Sequence, residues 1–222
     1  MTMSLRPGSW LRQGAKRGLA AVLPRRWFLT CGPRRCGAVC LTFDDGPHPE
    51  ITPRLLDVLA EAQVPATFFL IGREAERYPQ IVRRMAAEGH GVGSHSYSHP
   101  DRAEIRPRQV LDEAVRGVGV VAQILGKPPT LYRPPRGQVT VRDLWLLRRA
   151  GLTTVLWNVD PKDYGREDPD ELRAWFRDRP LREADLVLLH DARPHVVPVL
   201  PDLIGRARGV GLGFTTVEAW TA

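Results

Sequence analysis

Short apolar runs alternate along the chain with longer segments that carry apolar residues at helical spacing. From residue 38 onward the apolar runs predict seven strands: Ala38–Phe43, Ala66–Ile71, Gly91–Ser94, Thr130–Tyr132, Thr153–Val159, Asp185–Leu189 and Gly213–Val217. Most of these runs are continuous in apolar residues and do not alternate with polar ones. This pattern is typical of strands buried on both faces, as in a parallel sheet covered by helices.

The segments between the strands predict helices. The first is expected to begin at Pro53 with Thr52 as its N-cap, because proline is favoured at the first helical position and threonine just before it. The others are predicted at Pro79–Glu88, Val110–Leu125, Val141–Ala150, Asp170–Arg177 and in a segment that begins between Val196 and Pro201. Gly117 and Gly119 weaken the third of these helices by about 1 kcal/mol each relative to alanine.

Seven strand and helix units in alternation predict an α/β fold in which the sheet closes, or nearly closes, into a barrel. A doubly wound open sheet is the structural alternative. In both architectures, residues that carry chemistry are expected at the carboxyl ends of the strands.

The net charge of +7 is distributed unevenly along the 222 residues. Residues 1–37 contain eight of the 32 cationic residues and no acidic ones, whereas residues 38–222 contain the other 24 together with all 25 acidic residues, a net charge of −1. The basic character therefore belongs to an N-terminal arm, residues 1–37, and not to the domain that follows at residues 38–220. This distribution argues against nucleic acid as the main partner.

The arm also carries the features that bear on cellular location. Gly18–Leu23 is an apolar segment of six residues behind basic residues, shorter than the roughly 7–15 residues of a secretory signal, and no small-residue cleavage site follows it. No apolar run approaches the roughly 20 residues that span a bilayer. The three cysteines, Cys31, Cys36 and Cys40, do not have a strong zinc spacing, and a bridge between Cys31 and Cys36 stays open.

Candidate metal ligands follow the first and third predicted strands. Asp44 and Asp45 are adjacent carboxylates before a Gly-Pro turn, and His95 and His99 lie four residues apart in a polar segment. Either pair alone is common in turns and loops. Together, two histidines and one carboxylate supply three ligands and leave a coordination position open, as catalytic zinc sites do.

Three more groups follow later strands. A rigid Arg133-Pro134-Pro135-Arg136-Gly137 turn follows the fourth strand, and its prolines leave the amides of Arg136 and Gly137 free for a ligand. Asp160, Asp163 and Tyr164 follow the fifth strand, and His190 ends the sixth. Each group alone has an ordinary structural explanation, but five such groups at strand ends indicate an active site.

The five motifs TFDDGP, HSYSH, RPPRG, DPKDY and LLHD, in this order, resemble those of the polysaccharide deacetylases, the carbohydrate esterase family built on the NodB-homology domain. The resemblance covers residues 38–220. It implies a single-domain, deformed (β/α)7 TIM-like barrel, and a metal-dependent hydrolase of carbon–nitrogen bonds other than peptide bonds. The implied substrate is an N-acetylglucosamine-containing polysaccharide, peptidoglycan or chitin-like, and the implied cofactor is a divalent metal, usually Zn²⁺.

The resemblance also implies a role for each site residue. Asp45, His95 and His99 would bind the metal. Asp44 would be the general base, paired with Arg133, and His190 the general acid, oriented by Asp163. The remaining residues would contact substrate: the amide of Arg136 at the oxyanion, and Leu188 and Tyr164 around the acetyl methyl group. An arginine beside Asp44 is expected to lower the pKa of this carboxylate, and an aspartate beside His190 to raise the pKa of the imidazole.

Two positions depart from the usual family pattern. Arg136 stands where a tyrosine is common, and Tyr164 stands where a tryptophan is common. A guanidinium at the rim of the groove suggests a substrate with an anionic group beside the acetamido sugar. The family favours the cell envelope or secretion as the location. Two alternative functions stay open: hydrolysis of a small cyclic imide or amide, and glycan binding by an inactive homologue.

Overall fold

A single parallel sheet organises the computed structural model, which describes residue 11 and residues 13–221. Its strands are β1 (Phe28–Leu29), β2 (Ala38–Asp44), β3 (Thr67–Leu70), β4 (Gly91–Ser94), β5 (Leu131–Tyr132), β6 (Thr153–Val155), β7 (Leu186–His190) and β8 (Gly213–Phe214). They pair in the order β1-β6-β5-β4-β3-β2-β7, and β8 pairs with β2. Every strand pairing in the described residues is parallel.

Helices follow most of the strands. They are α1 (Gln13–Val22), α2 (Ile51–Glu61), α3 (Gly72–Arg77), α4 (Pro79–Ala87), α5 (Pro107–Leu125), α6 (Val141–Arg149), α7 (Pro169–Asp178), α8 (Leu200–Gly209) and α9 (Glu218–Thr221). Short 3-10 turns lie at Pro135–Gly137, Asp163–Gly165 and Val197–Val199. None of the helices described in residues 13–221 has the length and apolar character needed to cross a bilayer.

The predicted single-domain, deformed (β/α)7 barrel is confirmed. All seven predicted strands are present, and Gly91–Ser94 has the predicted bounds. The deformation is visible in the strand order, because β1 and β7 lie at opposite ends of the path and do not pair within the described residues.

The sheet extends further toward the N-terminus than the predicted domain start at residue 38. β1 comes from the segment treated as a basic arm and pairs with β6, Phe28 opposite Thr154 and Leu29 opposite Val155. A two-residue strand beside Pro24 and two arginines is too short to produce a recognisable apolar pattern. The arm prediction also covers residues 1–10 and 12, which lie outside the described residues.

The two faces of β2 show how the sheet is buried. Val39, Leu41 and Phe43 pack against the helices in the larger apolar cluster, whereas Cys40 packs in a second cluster with Leu186 and residues of β1, β3, β5 and β6. Both sets are fully buried, which explains the continuous apolar strand pattern. All three cysteines are free, so Cys31 and Cys36 are not bridged in this structure.

The prediction of Thr52 as an N-cap is wrong, because α2 begins at Ile51, two residues before the predicted start at Pro53, and Glu50 is its N-cap residue. His48 caps the helix: its Nδ1 atom lies 3.2 Å from the amide of Glu50 and 3.3 Å from that of Ile51, and accepts from both. The Thr52 hydroxyl instead donates to the buried carboxylate of Asp191 at 2.8 Å.

Helix α5 begins at Pro107, three residues before the predicted start, and contains both Gly117 and Gly119. The two glycines have different surroundings. A Cβ atom at Gly117 would lie 2.5 Å from the Ser94 hydroxyl and 2.8 Å from the Ser96 carbonyl oxygen, whereas a Cβ at Gly119 would meet nothing within 4 Å. Gly117 therefore allows the helix to approach the segment that carries His95.

We expect Gly117→Ala to destabilise the fold by about 1–3 kcal/mol, because the methyl group must displace the Ser94–Ser96 backbone. The matched substitution Gly119→Ala, on the open side of the same helix, should stabilise it by about 0.5–1 kcal/mol. Urea unfolding of both variants measures these changes. Equal effects at the two positions would contradict the role of close helix packing.

Candidate active site

The ends of neighbouring strands bring the candidate residues together. Asp44 is the last residue of β2 and His190 the last residue of β7, and the two are register partners across the parallel ladder. Asp45 follows β2 directly, and His95 follows β4, its amide donating to the Leu70 carbonyl at 2.7 Å. The carboxyl edge of the sheet therefore fixes the spacing of these groups, as expected for parallel strands.

These strand ends surround one cavity of about 390 Å³. Eight of the ten predicted site residues line it: Asp44, Asp45, His95, His99, Arg136, Tyr164, Leu188 and His190. The other two, Arg133 and Asp163, are completely buried behind it and hold Asp44 and His190.

Asp45, His95 and His99 form a group that could hold a metal ion, with one ligand atom from each residue and all three atoms within 4.8 Å of one another. The Oδ1 atom of Asp45 lies 3.6 Å from Nε2 of His95 and 3.5 Å from Nε2 of His99. This carboxylate oxygen is buried and has no hydrogen-bond partner among the described residues. An unpaired buried oxygen facing two imidazole nitrogens fits a divalent cation.

His95 is held in the form that a metal ligand needs. Its Nδ1 atom lies 2.7 Å from the Arg133 carbonyl oxygen, and only a protonated Nδ1 can donate to it. The lone pair of Nε2 is then directed toward Asp45. Burial lowers the pKa of His95 to about 3, so the imidazole is neutral at physiological pH.

Several site residues have a left-handed backbone conformation, which is unfavourable for residues other than glycine. The φ angles are 76° at Asp45, 69° at Ser96 and 57° at His99. Neighbouring contacts hold the histidine loop: the Ser96 hydroxyl accepts from the His99 amide at 2.9 Å, and Glu113 of α5 accepts from the amide and hydroxyl of Ser98. The surrounding fold therefore maintains the conformation of this loop.

The side chain of Asp44 forms a buried ion pair with Arg133. Nη1 of Arg133 donates to Oδ1 of Asp44 at 2.7 Å and to the Thr42 hydroxyl at 2.8 Å. Burial raises the pKa of Asp44, and the guanidinium opposes this shift. Arg133 thus lowers the pKa of Asp44 as expected, but burial raises it by more. The sequence pattern did not reveal this burial.

His190 is paired with Asp163. The Nδ1 atom of His190 lies 2.8 Å from Oδ1 of Asp163, and the His190 amide donates to Oδ2 of the same carboxylate at 2.8 Å. Burial alone would lower the pKa of His190, but the hydrogen bond and charge of Asp163 outweigh it and raise the pKa to about 9. The direction agrees with the expectation, and Nε2 is left for a substrate.

The Arg133–Gly137 turn differs from the expectation in one respect. The amide of Gly137 is not free, because it donates to the Pro134 carbonyl at 2.9 Å. The amide of Arg136 has no acceptor among the residues that the structure describes. The Arg136 guanidinium is about half exposed and forms an ion pair with Asp101, so its charge is partly compensated.

One residue that shapes the cavity, Trp157, was missed as a site residue, and Asp160, which the sequence places after the fifth strand, was given no role. Trp157 and Asp160 line it together with Tyr164, whose ring packs edge-on against His190 at a centroid distance of 5.5 Å. Leu188 is almost fully buried at its base. Trp157 and Asp160 belong to the same segment as Asp163, so a polar and aromatic cluster after a strand was the available signal.

Asp191 was also missed, although it follows His190 directly. Its carboxylate is fully buried, accepts from Thr52, and lies so close to Gly46 that a Cβ there would come within 1.9 Å of Oδ2. Burial raises the pKa of Asp191 to about 7, and the hydrogen bond from Thr52 opposes this rise. Asp191 therefore supports the turn after Asp45.

The remaining histidines lie outside the metal group. His48 caps α2, the ring of His90 accepts from the Ala66 amide at 3.1 Å, and Nε2 of His195 lies 3.0 Å from the Asp163 carbonyl oxygen. His195 thereby helps to hold the segment that orients His190.

Comparisons with known proteins agree with this geometry. A family model described as polysaccharide deacetylase matches residues 32–155. A chitooligosaccharide deacetylase of Bradyrhizobium sp. (strain ANU 289) is 40% identical over 158 residues, which cover 71% of this chain and 72% of the relative. A peptidoglycan-N-acetylglucosamine deacetylase of Bacillus cereus is 31% identical over 185 residues, covering 81% of this chain and 86% of the relative.

Solved structures include similar folds. A crystal structure of the Bc1960 peptidoglycan N-acetylglucosamine deacetylase has a TM-score of 0.82 and 31% identity, and the match covers 87% of this chain and 92% of that one. A pseudoenzyme from Bacillus anthracis has a TM-score of 0.81 over 88% of this chain and 69% of its own, but at 22% identity it supports the fold alone. The family model and these relatives show that the chain belongs to the polysaccharide deacetylase family.

Proposed function

We propose that this protein removes N-acetyl groups from an N-acetylglucosamine-containing glycan, with peptidoglycan or a chitin-like polymer as substrate. One observation carries the proposal: a single cavity joins a carboxylate held by an arginine, a three-ligand metal group and a histidine held by an aspartate. Amide hydrolysis needs an activated water, a stabilised oxyanion and a proton for the departing amine. The cavity provides a group for each requirement.

Asp45, His95 and His99 would hold the metal, and Zn²⁺ is the cation that best suits two imidazoles and one carboxylate. When bound, such a cation lowers the pKa of a water ligand and polarises the substrate carbonyl. The family is metal-dependent in general, and the neutral state of His95 supports the same assignment.

Asp44 and His190 would move the protons. Arg133 occupies Oδ1 of Asp44, whereas Oδ2 lies 3.7 Å from Nε2 of His95, next to the metal group. Oδ2 is therefore the oxygen that would accept a proton from the attacking water. Because Asp163 occupies Nδ1 of His190, the proton for the departing amine would come from Nε2.

The rest of the cavity would orient the acetamido group. The unpaired amide of Arg136 is a donor for the developing oxyanion. Leu188 and Tyr164 line the same cavity and offer an apolar surface for the acetyl methyl group. We also propose that the protein works at the cell envelope or outside the cell, where such glycans lie.

The two alternative functions would give different reaction products from a deacetylase, which releases acetate. A cyclic imide hydrolase would open a ring without releasing acetate, and an inactive glycan-binding homologue would release nothing. The base, the three ligands and the acid are all present in the cavity, which favours an active enzyme. Acetate release measured on chitooligosaccharides, peptidoglycan fragments and cyclic imides, with and without a chelator, separates the three functions.

We expect His95→Ala and His99→Ala, and likewise Asp45→Ala, to lose metal and activity together. The loss of metal affinity should exceed about 100-fold, the upper range for residues that only orient a ligand. Metal analysis after dialysis and acetate release are the measurements. His48→Asn is a control, because His48 lies outside the cavity and asparagine keeps a side-chain hydrogen-bond acceptor before α2. Stoichiometric metal in the His95→Ala/His99→Ala double variant would refute the ligand set.

If Asp44 acts as the base and His190 as the acid, the pH profile of kcat/KM should be bell-shaped, because one group must be ionised and the other protonated. His190 must be protonated to act as the acid, so activity should fall as the pH rises through about 9. Asp163→Asn removes the charge that raises this pKa, so the alkaline limb should move down toward the ordinary value of 6.5. Asp160→Asn, which changes a carboxylate of the same cavity that is not bonded to His190, should leave the limb in place. An unmoved limb in Asp163→Asn would exclude His190 as the acid.

His190→Ala should lower kcat by about 10²–10⁴-fold while metal is retained, because only the proton donor is lost. Loss of metal in this variant would show that His190 supports the metal group.

We further propose that the substrate carries an anionic group that Arg136 contacts. Asp101 competes for the guanidinium, so Asp101→Asn should lower KM for an anionic peptidoglycan fragment, and Arg136→Tyr should raise it. A rim contact of this kind is worth about 0.2–1 kcal/mol, or up to about fivefold in KM, and it weakens with salt. Neutral chitooligosaccharides are the control substrate. Equal changes on both substrates would contradict an electrostatic role.

A further inference from the structure

An apolar groove of about 360 Å³ lies on the β1 side of the sheet, between the N-terminal segment and α6. Leu19, Leu23, Trp27 and Phe28 form one side, and Val141, Leu144, Trp145 and the two arginines at the end of α6 form the other. It lies apart from the cavity that contains the catalytic groups, and no lining residue is common to the two.

Exposed apolar side chains are concentrated around this groove. Among the described residues, seven large apolar side chains are exposed, and four of them belong to the two segments that form the groove: Val22, Trp27, Val141 and Trp145. Val141 is 60% exposed and Trp145 is 57% exposed. A concentration of this kind on a soluble surface is typical of an interaction site.

The solvent-accessible charges of the two segments that form the groove are of one sign, and two of them, Arg148 and Arg149, line it. Residues 19–28 contain Arg25 and Arg26 and no acidic residue, and residues 141–149 contain Arg142, Arg148 and Arg149. Asp143, the acidic residue of the second segment, is buried and bonded to Arg102. The exposed charges of these segments therefore complement an anionic surface.

The tryptophans and arginines also contact each other directly. The Arg148 guanidinium lies 5.3 Å from the centre of the Trp27 ring, and that of Arg149 lies 4.9 Å from the centre of the Trp145 ring. Indole rings between an apolar groove and cationic groups suit the boundary between lipid headgroups and acyl chains.

We propose that this groove, with its arginine rim, is a docking surface for an anionic phospholipid membrane. Trp27, Trp145 and Val141 would insert at the headgroup level, and the five arginines would lie against the lipid phosphates. Helix α1, which carries Leu19 of the groove, also contacts the Arg133–Gly137 turn, because Lys16 donates to the Gly137 carbonyl at 2.9 Å.

Co-sedimentation of the full chain with lipid vesicles tests the proposal. The protein should bind vesicles of phosphatidylcholine that contain phosphatidylglycerol, and not vesicles of phosphatidylcholine alone. Val141→Ser/Trp145→Ser should weaken binding about tenfold or more, since two apolar side chains lose their insertion. Arg148→Gln/Arg149→Gln should weaken it by a similar factor and reduce its salt dependence.

Matched controls distinguish binding through this groove from nonspecific attraction of the whole protein surface to lipid vesicles. Val210→Ser removes a valine that is at least as exposed as Val141 but lies elsewhere, and Arg54→Gln/Arg83→Gln removes two exposed arginines of α2 and α4. Both should bind as the unsubstituted protein does. Equal loss in these controls, or equal binding to neutral vesicles, would overturn the proposal.

A conservative variant keeps the test independent of folding. Trp145→Phe should still bind, while quenching of tryptophan fluorescence by brominated lipid should decrease. Unchanged quenching would overturn the insertion of Trp145. Light scattering measures the oligomeric state. If the protein is a dimer and Val141→Ser/Trp145→Ser dissociates it, the groove binds a second copy of the chain, and membrane docking is overturned. These readouts do not depend on deacetylase activity.

Discussion

The buried ion pair between Arg133 and Asp44 connects the sheet to the catalytic cavity. A completely buried guanidinium is unfavourable unless its donors are satisfied, and here they reach Asp44, Thr42 and the backbone carbonyls of Val155 and Leu156. Its flat face lies 4.0 Å from the centre of the Phe69 ring. Removing either partner would leave an uncompensated charge inside the barrel, so the position of Asp44 depends on strands β2, β5 and β6 together.

The N-terminal segment belongs to the same chain of contacts. The Thr154 amide donates to the Trp27 carbonyl, and the Leu156 amide donates to the Leu29 carbonyl. These bonds hold β6, and its last residue, Val155, and the next residue, Leu156, supply two of the acceptors for Arg133. A segment that precedes the catalytic motifs thus contributes, through backbone hydrogen bonds, to the position of Asp44.

The loops that carry Asp45 and His99 keep unfavourable left-handed backbone conformations, and contacts with neighbouring residues hold them. Glu113 and the close approach of Gly117 hold the loop that carries His99, and Asp191 packs against Gly46, next to Asp45. The fold therefore keeps the three atoms that could hold a metal within 4.8 Å of one another. Such preorganisation reduces the conformational entropy lost on binding.

The sequence by itself determined a parallel α/β sheet and the identity of the candidate site, and its five motifs, through their family resemblance, favoured the barrel over an open sheet. Continuous apolar strands and helical spacing are local patterns, and the residues at strand ends must meet when the strands are parallel, so Asp44, Asp45, His95, His99 and His190 could be placed at one edge. Only the tertiary structure decided what surrounds each group. Three features join residues that are distant in sequence: the burial that raises the pKa of Asp44, the pairing of Arg136 with Asp101, and the contact of Asp191 with Gly46. The hydrogen bond of the Gly137 amide within its own turn depends on backbone angles. Strand β1 and the groove beside it were also beyond the sequence, because a two-residue strand has no period and its partner lies more than 120 residues away in the chain.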